Sequence, residues 1–142
     1  MALLLLLQQE TAAIFYTTEC VMNRTKKIVL VADDDNDLLQ LVKMQLQRAG
    51  FMVELSPNGA DIMQMAIEDH PDVILLDLTM DGISGGDICK LLKTKSETST
   101  IPVIIISAND NIEKITAECG ANDYVRKPFD LQLIKEKILH YV

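Results

Sequence analysis

The sequence predicts an α/β fold, a parallel sheet covered by helices on both faces. Three observations predict it. Five short apolar runs alternate with five segments of helical spacing. Those runs are unbroken rather than alternating inward and outward, as strands buried on both faces read. Four of the five runs end in a polar or charged residue, and no charged residue interrupts the first, third or fourth. An open sheet of this class places its ligand crevice at the carboxyl ends of its strands.

The elements follow in order. Ile28-Val-Leu-Val-Ala32 is a partly β-branched run of strand length. Asp37 to Ala49 then carries Leu38, Leu41, Val42 and Gln45 at helical spacing, with Gly50 where a helix-ending glycine belongs. Phe51 to Leu55 reads as a less apolar second strand, closed by the turn Ser56-Pro-Asn-Gly59. A helix bearing Ile62, Met63, Ala66 and Ile67 ends before His70-Pro71. Val73-Ile-Leu-Leu76 is the most apolar strand and runs into Asp77. A loop with Gly82, Gly85 and Gly86 leads to a helix bearing Ile88, Leu91 and Leu92. Val103 to Ile106 is the fourth strand, and Asn111 to Glu118 a short helix ended by Gly120. Asp123 to Lys127 is the fifth strand, and Asp130 caps a last helix bearing Leu131, Ile134 and Ile138.

At 142 residues the chain is one domain long, and 49% apolar with 24% charged is an ordinary globular balance. A chain this size buries roughly 70% of its unfolded surface, so its core needs no disulfide or metal. Lys and Arg total 13 against 21 Asp and Glu, a net charge of −8. That charge repels phosphate backbones and anionic lipid, so neither direct nucleic-acid binding nor membrane binding is expected. Cys20, Cys89 and Cys119 lack the spacing of a zinc site or a disulfide framework, and read as small hydrophobes in a reducing cytosol.

Residues 1–25 stand apart as an N-terminal extension. Leu3 to Leu7 is apolar, but Gln8 ends the run well short of the about 20 residues of a membrane helix. There is no basic start and no clear cleavage site for a signal peptide. Met22 to Lys27 reads as a second beginning, which leaves residues 26–142 as the folded domain. The extension is expected to be a start artefact, a disordered segment or a loose arm.

The strand ends carry the chemistry. The first ends in Asp33, Asp34 and Asp35, the third in Asp77, the fourth in Ser107 and the fifth in Lys127. Carboxylates gathered on one crevice repel each other unless a cation sits among them. Oxygen-only ligands suit Mg²⁺, which pairs readily with phosphoryl oxygens. Three carboxylates against one divalent ion and one ammonium make a neutral site, and a carboxylate is a competent nucleophile toward phosphorus.

Four segments together give the chain a family. Residues 28–35, Pro71 to Leu78, Ile104 to Ala108, and Gly120 to Phe129 resemble, in order and spacing, the receiver domain of bacterial two-component response regulators. That resemblance implies a flavodoxin-like, doubly wound five-stranded sheet in the order 2-1-3-4-5 with five helices. It implies that Asp77 accepts a phosphoryl group from a sensor histidine kinase or a histidine phosphotransfer protein. Asp34 would bind Mg²⁺ directly and Asp33 mainly through water, with Asp77 and the backbone carbonyl of Thr79 completing the protein's share. Lys127 would pair with the phosphoryl, Ser107 would bond it, and Tyr124 would swing toward the space Ser107 vacates. The Lys127-Pro128 bond would be cis. The implied output is a changed protein-binding face on the fourth helix, fifth strand and fifth helix, compatible with a homodimer. The resemblance also implies a cytoplasmic signalling protein that is not an enzyme.

Two positions depart from the family pattern. Asp81 stands where Pro is usual, and Gly86 where an apolar residue is usual. Duller readings compete at single positions: a strand-end Asp is commonly a helix cap, which fits Asp35 or Asn36, and His70 and His140 sit near helix ends, where the dipole favours them. Neither G-x-x-x-x-G-K-[ST] nor G-x-G-x-x-G occurs, against a P-loop nucleotidase or a dinucleotide binder. An acidic first loop is wrong for a flavin phosphate. Aspartyl-nucleophile phosphatases place a second Asp two residues on, where this chain has Thr79. The remaining alternative is a pseudo-receiver that binds partners without phosphorylation.

Overall fold

The computed structural model describes residues 26–142; the extension expected over residues 1–25 lies outside the described residues. Five parallel strands form one sheet: β1 (Ile28–Ala32), β2 (Met52–Ser56), β3 (Val73–Asp77), β4 (Val103–Ser107) and β5 (Asp123–Arg126). Their order across the sheet is β2-β1-β3-β4-β5, with parallel pairing at every step. Five helices connect them: α1 (Asn36–Arg48), α2 (Ile62–Asp69), α3 (Gly85–Thr94), α4 (Ile112–Cys119) and α5 (Leu131–Tyr141). The fold is the doubly wound one expected from the sequence.

Two apolar layers flank the sheet. Leu39, Val42 and Leu46 of α1 and Ile134 and Ile138 of α5 pack with Val29, Val31, Leu75, Ile104 and Ile106 on one face. The other face joins α2, α3 and α4 to Leu30, Ile74, Leu76 and Ile105. The central β3 and β4 are buried at every position, which is why their sequences show no alternation.

Two helix faces differ from the sequence reading. In α1 the buried stripe is Leu39, Val42 and Leu46, while Leu41 is 43% exposed and Gln45 faces solvent. In α3 Ile88, Cys89 and Leu92 are buried and Leu91 is 52% exposed. Adjacent apolar positions on a helix lie about 100° apart, so packing on the sheet selects one of two similar stripes. The loop after Asp77 also holds an unforeseen hairpin. Thr79–Met80 pairs antiparallel with Ile83–Ser84 across Asp81 and Gly82. Their φ values of 42° and 79° suit a two-residue turn of the I′ kind, in which both central residues are left-handed. Proline, fixed near −65°, cannot take the position of Asp81. Among the described residues no helix is long and apolar enough to cross a membrane.

Candidate functional site

Register carries the site residues to one edge. Ala32 pairs with Leu76, Asp77 with Ile106, and Ser107 with Arg126, so Asp33, Asp77, Ser107 and Lys127 emerge side by side. Carboxylate oxygens of Asp33, Asp34 and Asp77 lie within 4.8 Å of one another. Asp33 and Asp77 are buried and Asp34 is exposed, so the cluster opens to solvent on one side.

Each side chain is held by a local device. Asp33 Oδ1 accepts the Asp35 N–H at 3.0 Å, and its Oδ2 accepts Lys127 Nζ at 2.7 Å. The same ammonium stands 3.6 Å from Asp77 Oδ1. Asp35 turns away and caps α1, accepting the Leu38 N–H at 3.1 Å. Ser107 Oγ accepts the Asn109 N–H at 3.0 Å, and its carbonyl accepts the Lys127 N–H at 2.9 Å. The Lys127-Pro128 peptide is cis. Thr79 begins the hairpin two residues past Asp77.

The electrostatics leave Asp77 short of positive charge. Burial, and then the charge of Asp33, push its carboxyl up to about 6, although Lys127 and the Thr79 N–H pull it back. Burial draws Lys127 down, but its hydrogen bond to Asp33 and the nearby Asp77 charge outweigh that and hold it above the usual lysine value. One ammonium thus serves two buried carboxylates.

Tyr124 lies outside this cluster. Its hydroxyl donates to Glu113 of α4 at 2.6 Å, and Arg126 and Lys137 sit 5.7 and 5.6 Å from its ring centre. Glu113 also pairs with Arg126 at 3.8 Å. His70 caps the end of α2 in a left-handed conformation and His140 lies in the last turn of α5, both away from the cluster.

Sequence reasoning passed over two features. Gly85 starts α3 directly against the end of β3: its N–H donates to the Leu78 carbonyl at 2.9 Å, and a Cβ there would overlap the Asp77 carbonyl oxygen. The Gly85-Gly86 pair was its only sequence signal. Beside the cluster, Leu38, Ala108, Lys127, Pro128 and Phe129 line an apolar hollow of about 420 Å³.

Residues 29–139 match the family model of the response regulator receiver domain. The chain belongs to that family. Transcriptional regulatory protein CseB of Streptomyces coelicolor is 36% identical over 112 residues, covering 78% of this chain and 47% of CseB. This receiver spans about half the length of the curated relatives it matches. A solved putative response regulator from Chloroflexus aurantiacus superposes with a TM-score of 0.78 at 26% identity, covering 82% of this chain and 98% of that one. The chemotaxis response regulator CheY4 of Vibrio cholerae gives 0.76 at 26% identity, over 83% of the receiver and all of CheY4. The receiver is therefore a signal-transduction domain of the two-component class.

Proposed function

We propose that this receiver accepts a phosphoryl group on Asp77 from a phosphohistidine of a sensor kinase or phosphotransfer protein, and that the transfer changes its protein contacts. The observation that carries the reading is the convergence of Asp33, Asp34 and Asp77 within 4.8 Å, with Lys127 bonded to Asp33 and 3.6 Å from Asp77. An Asp77 oxygen attacks phosphorus, the phosphorus–nitrogen bond breaks, and the departing imidazole takes up a proton. Lys127 is placed to follow the charge that develops on the phosphoryl oxygens, and the Ser107 hydroxyl stands at the next strand end to bond them.

The donor set suits Mg²⁺. Three carboxylates share one ammonium, Asp77 is pushed up for want of positive charge, and all the side-chain ligands are hard oxygens. Asp33, Asp34 and Asp77 would hold the ion, with the Thr79 backbone carbonyl beside them. Bound there, Mg²⁺ supplies charge neutralisation for the incoming phosphoryl. The apolar hollow beside Lys127 and Pro128 offers the donor protein a surface next to the acceptor. One phosphoryl per chain makes the protein a stoichiometric switch of the cytoplasm, not a turnover enzyme. Its output face is α4, β5 and α5, on which Tyr124 is tied to Glu113 and a second copy or another protein would dock.

Acetyl phosphate with Mg²⁺ should add a single phosphoryl by intact mass, and a chelator should prevent it. Asp77→Asn should not label. Labelling of that variant to the parent's extent would remove Asp77 from its role, and no labelling of the parent would favour a pseudo-receiver.

A further inference from the structure

The hairpin after Asp77 is too small to hold itself. It pairs only Thr79 with Ser84 and Met80 with Ile83, and even a longer isolated two-stranded ribbon is marginal in water. Its base is tied by Gly85, whose N–H reaches the Leu78 carbonyl at 2.9 Å. Its turn end is tied by Met80, which is fully buried although Thr79 before it is exposed.

Met80 rests on the turn that follows β2. A Cβ on Gly59 would stand 2.8 Å from Met80 Cε and 3.2 Å from its Sδ, so the thioether lies against bare glycine backbone. Ile88 of α3 closes the same spot at 3.5 Å. Gly59 is held in its turn: its φ is 76°, its N–H donates to Ser56 Oγ at 3.2 Å, and that hydroxyl donates to Asp61 Oδ1 at 3.2 Å. Ser56 is fully buried, and its carbonyl accepts the Asp33 N–H at 3.3 Å. One turn therefore touches both sides of the carboxylate cluster, the Asp33 backbone directly and the hairpin through Met80. None of its own residues belongs to that cluster.

We infer that Gly59 and Met80 are a positioning pair, whose contact sets where the hairpin, and with it the Thr79 backbone, stands relative to Asp33 and Asp34. A methionine is ordinarily adaptable, because three rotatable bonds let its thioether refill irregular gaps. Here close packing on every side removes that freedom, and the missing Cβ of Gly59 provides the seat. The inference rests on the proposed metal role of Asp33, Asp34, Asp77 and the Thr79 carbonyl, since ion affinity depends on how well the ligands are placed beforehand. A side chain that only filled the core would cost stability when truncated and leave the ion affinity of the folded chain unchanged.

The test titrates Mg²⁺ calorimetrically into the folded full chain at pH 7.5, and follows amide hydrogen exchange across residues 79–84 without metal. Met80→Ala should weaken Mg²⁺ binding by about tenfold and speed exchange of the hairpin relative to the sheet. Met80→Leu, which keeps the bulk but ends where methionine has its sulfur, should do the same to a smaller extent, and it decides if Met80→Ala fails to fold. Gly59→Ala should also weaken binding, and the double variant should lose less affinity than the product of the two single losses, because the added methyl crowds only a methionine. Folded variants that bind Mg²⁺ as the parent does, with only a lower urea midpoint, overturn the inference, as do single losses that simply multiply. A parent that binds no Mg²⁺ removes the metal reading instead, and hairpin exchange then decides alone whether the pair positions this segment.

Discussion

Asp77 closes a strand buried on both faces and yet, in the role proposed for it, offers a charged oxygen to chemistry. Its folded-state pKa of about 6 exceeds the ordinary 3.8, so the fold binds this proton more tightly than the unfolded chain does. The stability this group contributes is complete below pH about 4 and is lost as pH rises through about 6. Asp77→Asn should therefore raise stability at pH 7.5 by about 1–2 kcal/mol, and the gain should shrink to nothing by pH 4. Urea melts across that range measure it, and a gain that does not change with pH would refute the electrostatic origin. This conflict was half legible in the sequence, where a carboxylate at the end of the most apolar run already marked a costly burial. Its partner was less so: only the register of five strands brings Lys127 beside Asp33, 94 residues away.

At the scale of elements, the hairpin and the start of α3 fix how the Asp77 backbone lies. Asp81→Pro would restore the family's usual residue, but φ at this position is 42°. That substitution should cost about 1–3 kcal/mol, seen as a lower urea midpoint, because proline cannot enter the left-handed region. The two glycines that open α3 should behave oppositely. Gly85→Ala drives a Cβ into the Asp77 carbonyl and should destabilise by about 1–3 kcal/mol while slowing phosphorylation. Gly86→Ala makes only ordinary contacts, with Ile115 and the Ser84 hydroxyl at 3.7 Å, and should stabilise by about 0.5–1 kcal/mol. Equal effects at both sites would show that the close approach does not constrain this turn. Element identity and order were readable from apolar periodicity, and the cap at Asp130 from its residue type, while the first cap was narrowed to Asp35 or Asn36 and the structure selects Asp35. The buried stripes of α1 and α3 were not, since Leu41 and Leu91 are as apolar as the residues chosen and only contact with the sheet separates them.

For the molecule as a whole, an ion bound at the cluster stabilises only the folded state, because the unfolded chain disperses the three carboxylates. Saturating Mg²⁺ should raise unfolding free energy by about 1–3 kcal/mol at pH 7.5, and much less at pH 5, where Asp77 is largely protonated. Thermal melts with Mg²⁺ or with chelator check both the size and the sign. Ca²⁺ should give a different increment, since it favours more ligands at longer distances.

The sequence alone determined the five-by-five alternation, the parallel sheet and the residue types at its edge, because burial on both faces dictates continuous apolar runs and confines polar groups to their ends. The tertiary structure decided which carboxylates meet, which helix stripe is buried, and that Asp81 occupies a tight left-handed turn. Those outcomes depend on strand register and helix approach, which arise from packing between distant segments and leave no local mark on the chain.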